Sequence, residues 1–134
     1  MAKGIWVKHN GGLPEVETFE LEKDTLHQMY RLIECDTVER IQFEFDGELY
    51  DMWLDEEGKF KDLYPTFPLF HNNKIYDVVV GNVVIMSTDE EGECIGLPDD
   101  VIGKMISSNF FEKKALVAND FIAKLVMERL IKGC

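Results

Sequence analysis

The longest stretch of apolar positions in the chain is residues 75–97, IYDVVVGNVVIMSTDEEGECIGL, closed by an acidic turn. Val78, Val79, Val80, Val83, Val84 and Ile85 are β-branched, and such side chains suit a pleated, buried surface better than a helix. The run predicts a central strand feeding a second strand over 93–97 through Asp89-Glu90-Glu91-Gly92, with Gly92 in the left-handed conformation. Residues 4–9 (GIWVKH) and 15–21 (EVETFEL) read as two earlier strands joined by the turn signal Asn10-Gly11-Gly12. The second alternates only in part, which suits a sheet edge. Residues 40–45 (RIQFEF) alternate strictly, with Ile41, Phe43 and Phe45 on one face, and Asp46-Gly47 turns the chain into a partner strand over 48–54.

Three segments carry a helical period. With Asp24 or Thr25 available as a cap, Leu26, Met29, Tyr30 and Ile33 recur at three- and four-residue spacing, a helix of about ten residues. A short helix over 101–107 follows Asp99-Asp100 and ends at Asn109. A longer one spans 119–132, with Phe121, Ile122, Leu125, Val126, Leu130 and Ile131 apolar and Gly133 as its stop. Between residues 59 and 73 neither period holds, and Pro65 and Pro68 predict an extended, partly buried loop. These elements make an α+β fold: an antiparallel sheet of about five to seven strands with one helix packed on it and a C-terminal helical extension. Ile41, Phe43, Val79 and Val84 should be buried. One domain, 1–108, precedes the extension, 109–134, which packs on the domain or on another subunit as a homo-oligomer contact.

Composition adds a charge pattern. The chain has 134 residues, 46% hydrophobic and 30% charged, an ordinary globular balance for about one domain. No apolar run approaches the roughly 18 to 20 residues of a membrane span, and the N-terminus leads into a strand rather than a signal peptide. Cys35, Cys94 and Cys134 are an odd number without close spacing, as expected of free thiols in the cytoplasm. The net charge is −12, and residues 34–100 hold 18 acidic against four basic side chains. Such a surface repels phosphates and anionic membranes, which disfavours direct nucleic acid binding and points to a partner protein with a basic surface.

Asp-Glu-Glu-Gly occurs twice, at 55–58 and 89–92, each time followed five residues later by Leu and then by proline, counted from the glycine for Leu63 and Leu97. The repetition predicts two hairpins of one design in one sheet, with Asp55, Glu56, Glu57, Asp89, Glu90 and Glu91 on exposed tips that meet the partner. Neither copy has the oxygen ligands and later glutamate of a calcium-binding EF-hand loop, and no metal or cofactor is expected. No glycine-rich phosphate loop, His-Glu-x-x-His, Cys-x-x-Cys or Gly-x-Ser-x-Gly occurs, and His9, His27 and His71 stand at no motif spacing from a nucleophile. The chain reads as a non-enzyme. A second candidate surface is the aromatic cluster Phe60, Tyr64, Phe67, Phe70 and His71, since aromatic rings stack on bases and this loop would serve a small-ligand binder or nucleotide sponge.

Residues 18–106 resemble a family of small proteins of phages, plasmids and conjugative elements, domain of unknown function 3846. The resemblance rests on FELEKDTLHQMYRLIEC, LDEEGKFKDL, IYDVVVGNVVIM and TDEEGECIGLPDDVIGKMI, with Tyr76, Asp77 and Gly81 matching its Tyr-Asp-x-x-x-Gly. Leu63-Tyr64-Pro65-Thr66 stands where the family has Leu-Pro-x-Asn. What the resemblance implies is a mobile-element origin, not an activity. The resulting expectation is a phage or mobile-element accessory protein that binds and inhibits a host protein, such as a defence nuclease, through an acidic face mimicking nucleic acid.

Overall fold

The computed structural model describes residues 2–9 and 11–132, with side chains to residue 129. The turn role of Asn10, the stop at Gly133, Cys134 and the burial of Leu130 and Ile131 lie outside the described residues. The elements are β1 (Lys3–Lys8), β2 (Glu15–Glu20), α1 (Thr25–Ile33), β3 (Val38–Phe45), β4 (Glu48–Asp55), β5 (Pro65–His71), β6 (Lys74–Val80), β7 (Val83–Thr88), β8 (Cys94–Ile95), α2 (Asp99–Ser107) and α3 (Phe110–Lys132). A six-stranded antiparallel sheet runs β2-β1-β7-β4-β3, with β8 added to the end of β7, and β5 pairs β6 in a separate hairpin. The fold is thus the expected α+β class, and β2 is an edge strand as its partial alternation implies.

The large sheet is the middle of three layers, because its strands alternate apolar side chains to both faces. On one face Trp6, Trp53, Val84 and Met86 meet Met29 and Ile33 of α1. Asp24 caps that helix, accepting from the His27 backbone N–H at 3.2 Å. On the other, Ile5, Val7, Phe43, Met52, Val83 and Ile85 pack against Phe67 and Val79 of the hairpin, Ile102 and Met105 of α2, and Phe111 of α3. Phe43, Val79 and Val84 are buried and Ile41 is half-buried.

Four expectations need correction. The apolar run is two strands in two sheets, not one. It breaks at Gly81, whose φ of +82° only glycine adopts freely, and at buried Asn82. Asn82 accepts from the His9 backbone N–H (2.9 Å) and donates to the Leu32 carbonyl (3.1 Å) and the Glu34 carboxylate (3.0 Å), which holds the crossing point in place. Second, the expected loop over 59–73 contains β5. Asn72 and Asn73, at φ 50° and 64°, make the two-residue turn into β6, and a two-stranded hairpin tolerates Pro65 and Pro68 because each strand has a free edge. Third, the strand after the second acidic turn shrinks to β8, since Gly96 crosses close to the backbone of Lys3. Fourth, the last helix begins at Phe110, nine residues before Asn119. Asn109 does break α2, at φ 54°, but Phe111, Ala115 and Ala118 then continue at helical spacing and are buried.

Candidate functional site

The two acidic turns begin alike. In each, the aspartate accepts a hydrogen bond from the backbone N–H two residues on, Asp55 from Glu57 and Asp89 from Glu91, both at 2.9 Å. This is the Asx turn that short acidic side chains favour. After it they diverge. Asp89 also accepts from the Glu93 N–H at 2.9 Å, and Gly92 at φ +85° closes a true hairpin between β7 and β8. Asp55 instead lies 5% exposed, paired with Lys61 at 2.6 Å, and the chain leaves the large sheet through a single 3-10 turn, Gly58–Phe60, toward β5. The first copy is therefore no hairpin, and Asp55 no exposed tip; only Glu56 and Glu57 project from it.

Register separates the copies further. Asp51 stands opposite Met86 and Trp53 opposite Val84, so the end of β4 lies beside the start of β7. The two turns consequently sit at opposite ends of the large sheet, and no single flat surface carries all six predicted residues. The end that holds Asp89, Glu90 and Glu91 gathers other carboxylates. Asp46 lies in the β3–β4 turn there and Glu48 follows it, and Asp99 and Asp100 open α2, where negative charge suits a helix N-terminus. Lys104 pairs with Asp46 at 3.4 Å. The electrostatics register this crowding: burial chiefly, then Glu48, Asp100 and Asp46, push the Tyr50 phenol up, while burial, Asp51 and Glu93 raise the Cys94 thiol. At the opposite end Lys59 pairs with Asp77 and Lys61 with Asp55, so acid and base alternate.

The five aromatic-loop residues are dispersed. Phe60 is 90% exposed beyond β4, and Tyr64 stacks on His9 with ring centroids 5.4 Å apart. Phe67 is buried between Phe43 and Phe110, and His71 meets the edge of Tyr76. Only Phe67 and Phe70 share a cleft, of about 360 Å³, with Gln42, Glu44, Tyr76 and Lys114. Sequence reasoning missed Lys114, because residues 110–118 carried no helix expectation; the apolar spacing of Phe111, Ala115 and Ala118 was the available signal. Asp51, within the expected strand over 48–54, carried no role either. That carboxylate is buried and accepts from the Thr88 hydroxyl, which in turn accepts from Arg40 at 3.3 Å. Cys35 and Cys94 are free thiols. No helix among the described residues is long and apolar enough to cross a membrane.

No curated protein and no solved structure matches the chain. A family model, Domain of unknown function (DUF3846), matches residues 2–110. Because that match runs through every strand of both sheets and both acidic turns, the chain belongs to this family.

Proposed function

We propose that this chain is a non-enzymatic accessory protein of a phage or other mobile element, which binds a host protein through the acidic end of its large sheet and blocks a basic groove that otherwise takes nucleic acid. A defence nuclease fits that description. The observation that carries the reading is the convergence of the β3–β4 turn, the β7–β8 hairpin and the start of α2, which puts Asp46, Glu48, Glu90, Glu91, Asp99 and Asp100 at one end of the molecule. Exposed like charges on rigid turns attract a basic surface at long range and lose that attraction as the Debye length shrinks from about 10 Å at 0.1 M salt to about 3 Å at 1 M.

The test is capture of a partner from host lysate, followed by association kinetics at two salt concentrations. Neutralising Glu90, Glu91, Asp99 and Asp100 to Gln or Asn should slow association by about tenfold or more at low salt and leave dissociation nearly unchanged. Association that is independent of salt and of these substitutions would reject the reading.

A further inference from the structure

Strand β3 is the edge of the large sheet opposite β2, eight residues long, pairing β4 without a register shift and containing neither proline nor lysine. Glu39, Arg40 and Glu44 put charge along this edge, but it still presents a row of N–H and C=O groups that no strand pairs. Which residues present them follows from the turn. Asp46 and Gly47, at φ 52° and 82°, make a two-residue turn of the type whose flanking pair, Phe45 and Glu48, exchanges both hydrogen bonds. Counting back, Phe43 and Ile41 face β4 with their backbone groups, whereas Glu44, Gln42 and Arg40 direct theirs away from the sheet.

That open edge is not bare surface. The β5–β6 hairpin crosses beside it and leaves two clefts that share Leu69 as a wall. One, of about 360 Å³, lies between Gln42 and Glu44 of β3 and Phe70 and Tyr76 of the hairpin. The other, of about 180 Å³, lies between Glu39 and Ile41 of β3 and Asp77 of β6, with Glu56 at its rim. Their unpaired charges differ in sign, although Glu44 also lines the first cleft. In the first, the Lys114 ammonium is held over Phe67, Phe70 and Phe110 at 5.5–5.9 Å and, among the described residues, has no carboxylate partner. In the second, Glu39 and Glu56 have no basic partner among the described residues, and Lys59 is engaged by Asp77.

We infer that β3 and the β5–β6 hairpin form a receiving groove for an extended segment of a partner protein, which adds as a strand to β3, its backbone hydrogen-bonded to Gln42 and its neighbours. Side chains on one side of an added strand recur at every second residue, about 6.6–6.8 Å apart. One such side chain enters the Lys114 cleft and another, further along the segment, enters the Glu39 cleft. The segment recognised therefore carries an acidic residue and, two or four positions away, a lysine or arginine, on a backbone free of proline. Main-chain pairing supplies the affinity and the two clefts supply the choice of sequence, the division of labour found in strand addition generally. This surface lies along the side of the sheet, apart from the acidic end, and stands or falls independently of it.

The experiment is selection of displayed random nonapeptides on the full chain, with a Lys114→Glu protein selected in parallel. The expected winners lack proline and show an acidic and a basic residue at even spacing; the Lys114→Glu protein should reverse the acidic preference to a basic one. For one synthetic winner, N-methylating an amide that faces β3 should weaken binding about tenfold or more, and methylating the next amide, which faces away, should not. Selection that yields no peptides, winners indifferent to Lys114→Glu, or equal sensitivity of adjacent amides would each overturn the inference. Displacement of a winner by a free nucleotide at equimolar concentration would also overturn it, in favour of a small-molecule site. Because methylation alters the peptide and not the protein, folding of the variant does not confound that arm.

Discussion

Asp55-Glu56-Glu57-Gly58 and Asp89-Glu90-Glu91-Gly92 are identical in residue type and share their first hydrogen bond, yet one is a crossing between sheets anchored by buried Asp55 and Gly58 and the other an exposed hairpin. Their glycines show how this happens. Gly92 takes φ +85° and has open space around it, so its role is conformational. Gly58 has no such backbone requirement, but a Cβ there would meet Val80 Cγ2 at 3.2 Å, so its role is to leave room for β6. The same four letters thus solve two problems, and what lies beyond the turn decides which. After Gly92 the chain can return along β7, because the pairing of that strand with β1 ends at Ile85 and with β4 at Met86, which leaves Ser87 and Thr88 for β8. After Gly58 it cannot return along β4, because β3 and β7 already occupy both edges of that strand.

The contrast can be broken most forcefully at the aspartates. Asp55→Ala removes a buried carboxylate that accepts from Glu57 N–H and from Lys61, and should lower unfolding free energy by about 2 kcal/mol in urea titrations. Asp89→Ala, at an exposed turn, should cost about 1 kcal/mol. Equal losses would mean that burial does not distinguish the two turns.

Asparagine at the glycines is the next sharpest probe, since it tolerates positive φ but adds a side chain. Gly58→Asn should cost about 2 kcal/mol through its clash with Val80, and Gly92→Asn no more than about 0.5 kcal/mol, by thermal melting. The reverse order would exchange the roles assigned to the two residues.

The glutamates bear on binding, not stability. Glu90→Gln with Glu91→Gln should slow association with the captured partner severalfold at low salt, whereas Glu56→Gln with Glu57→Gln, at the opposite end, should leave it unchanged. Stopped-flow traces of both double variants at one low salt concentration compare the two ends directly, and both should melt within about 0.5 kcal/mol of the parent.

The smallest expected effect is a pH dependence confined to the end that carries the first copy. Burial, partly opposed by a hydrogen bond to the Pro65 carbonyl, lowers the affinity of His9 for a proton in the folded state. The unfolded chain then binds more protons between the folded and the ordinary histidine value of about 6.5, so stability falls as pH drops through that window and levels off below the folded value. His9→Gln should flatten the fall, read from denaturation midpoints between pH 7.5 and 5. An unchanged slope would show that another group titrates there.

Much of this protein is determined locally and was legible in order along the chain. Strict alternation in β3, the Asp46-Gly47 turn, the Asp24 cap and the break at Asn109 depend on the residues themselves and their immediate neighbours, and all four occur as the pattern indicates. The acidity of the middle segment is likewise a property of composition. Tertiary structure alone decided three things. It split the valine-rich run, because β-branched residues favour a strand without specifying its sheet, and only Gly81 and the bonds of Asn82 to two distant segments, the end of β1 and the end of α1, mark the crossing. It recruited residues 110–118 to a helix, because the two phenylalanines at its start gain their burial from Phe43 and Phe67, far away in sequence. And it sent two identical acidic turns to opposite ends of one sheet, because antiparallel register, which no local motif contains, determines where a turn lies and which charges stand beside it.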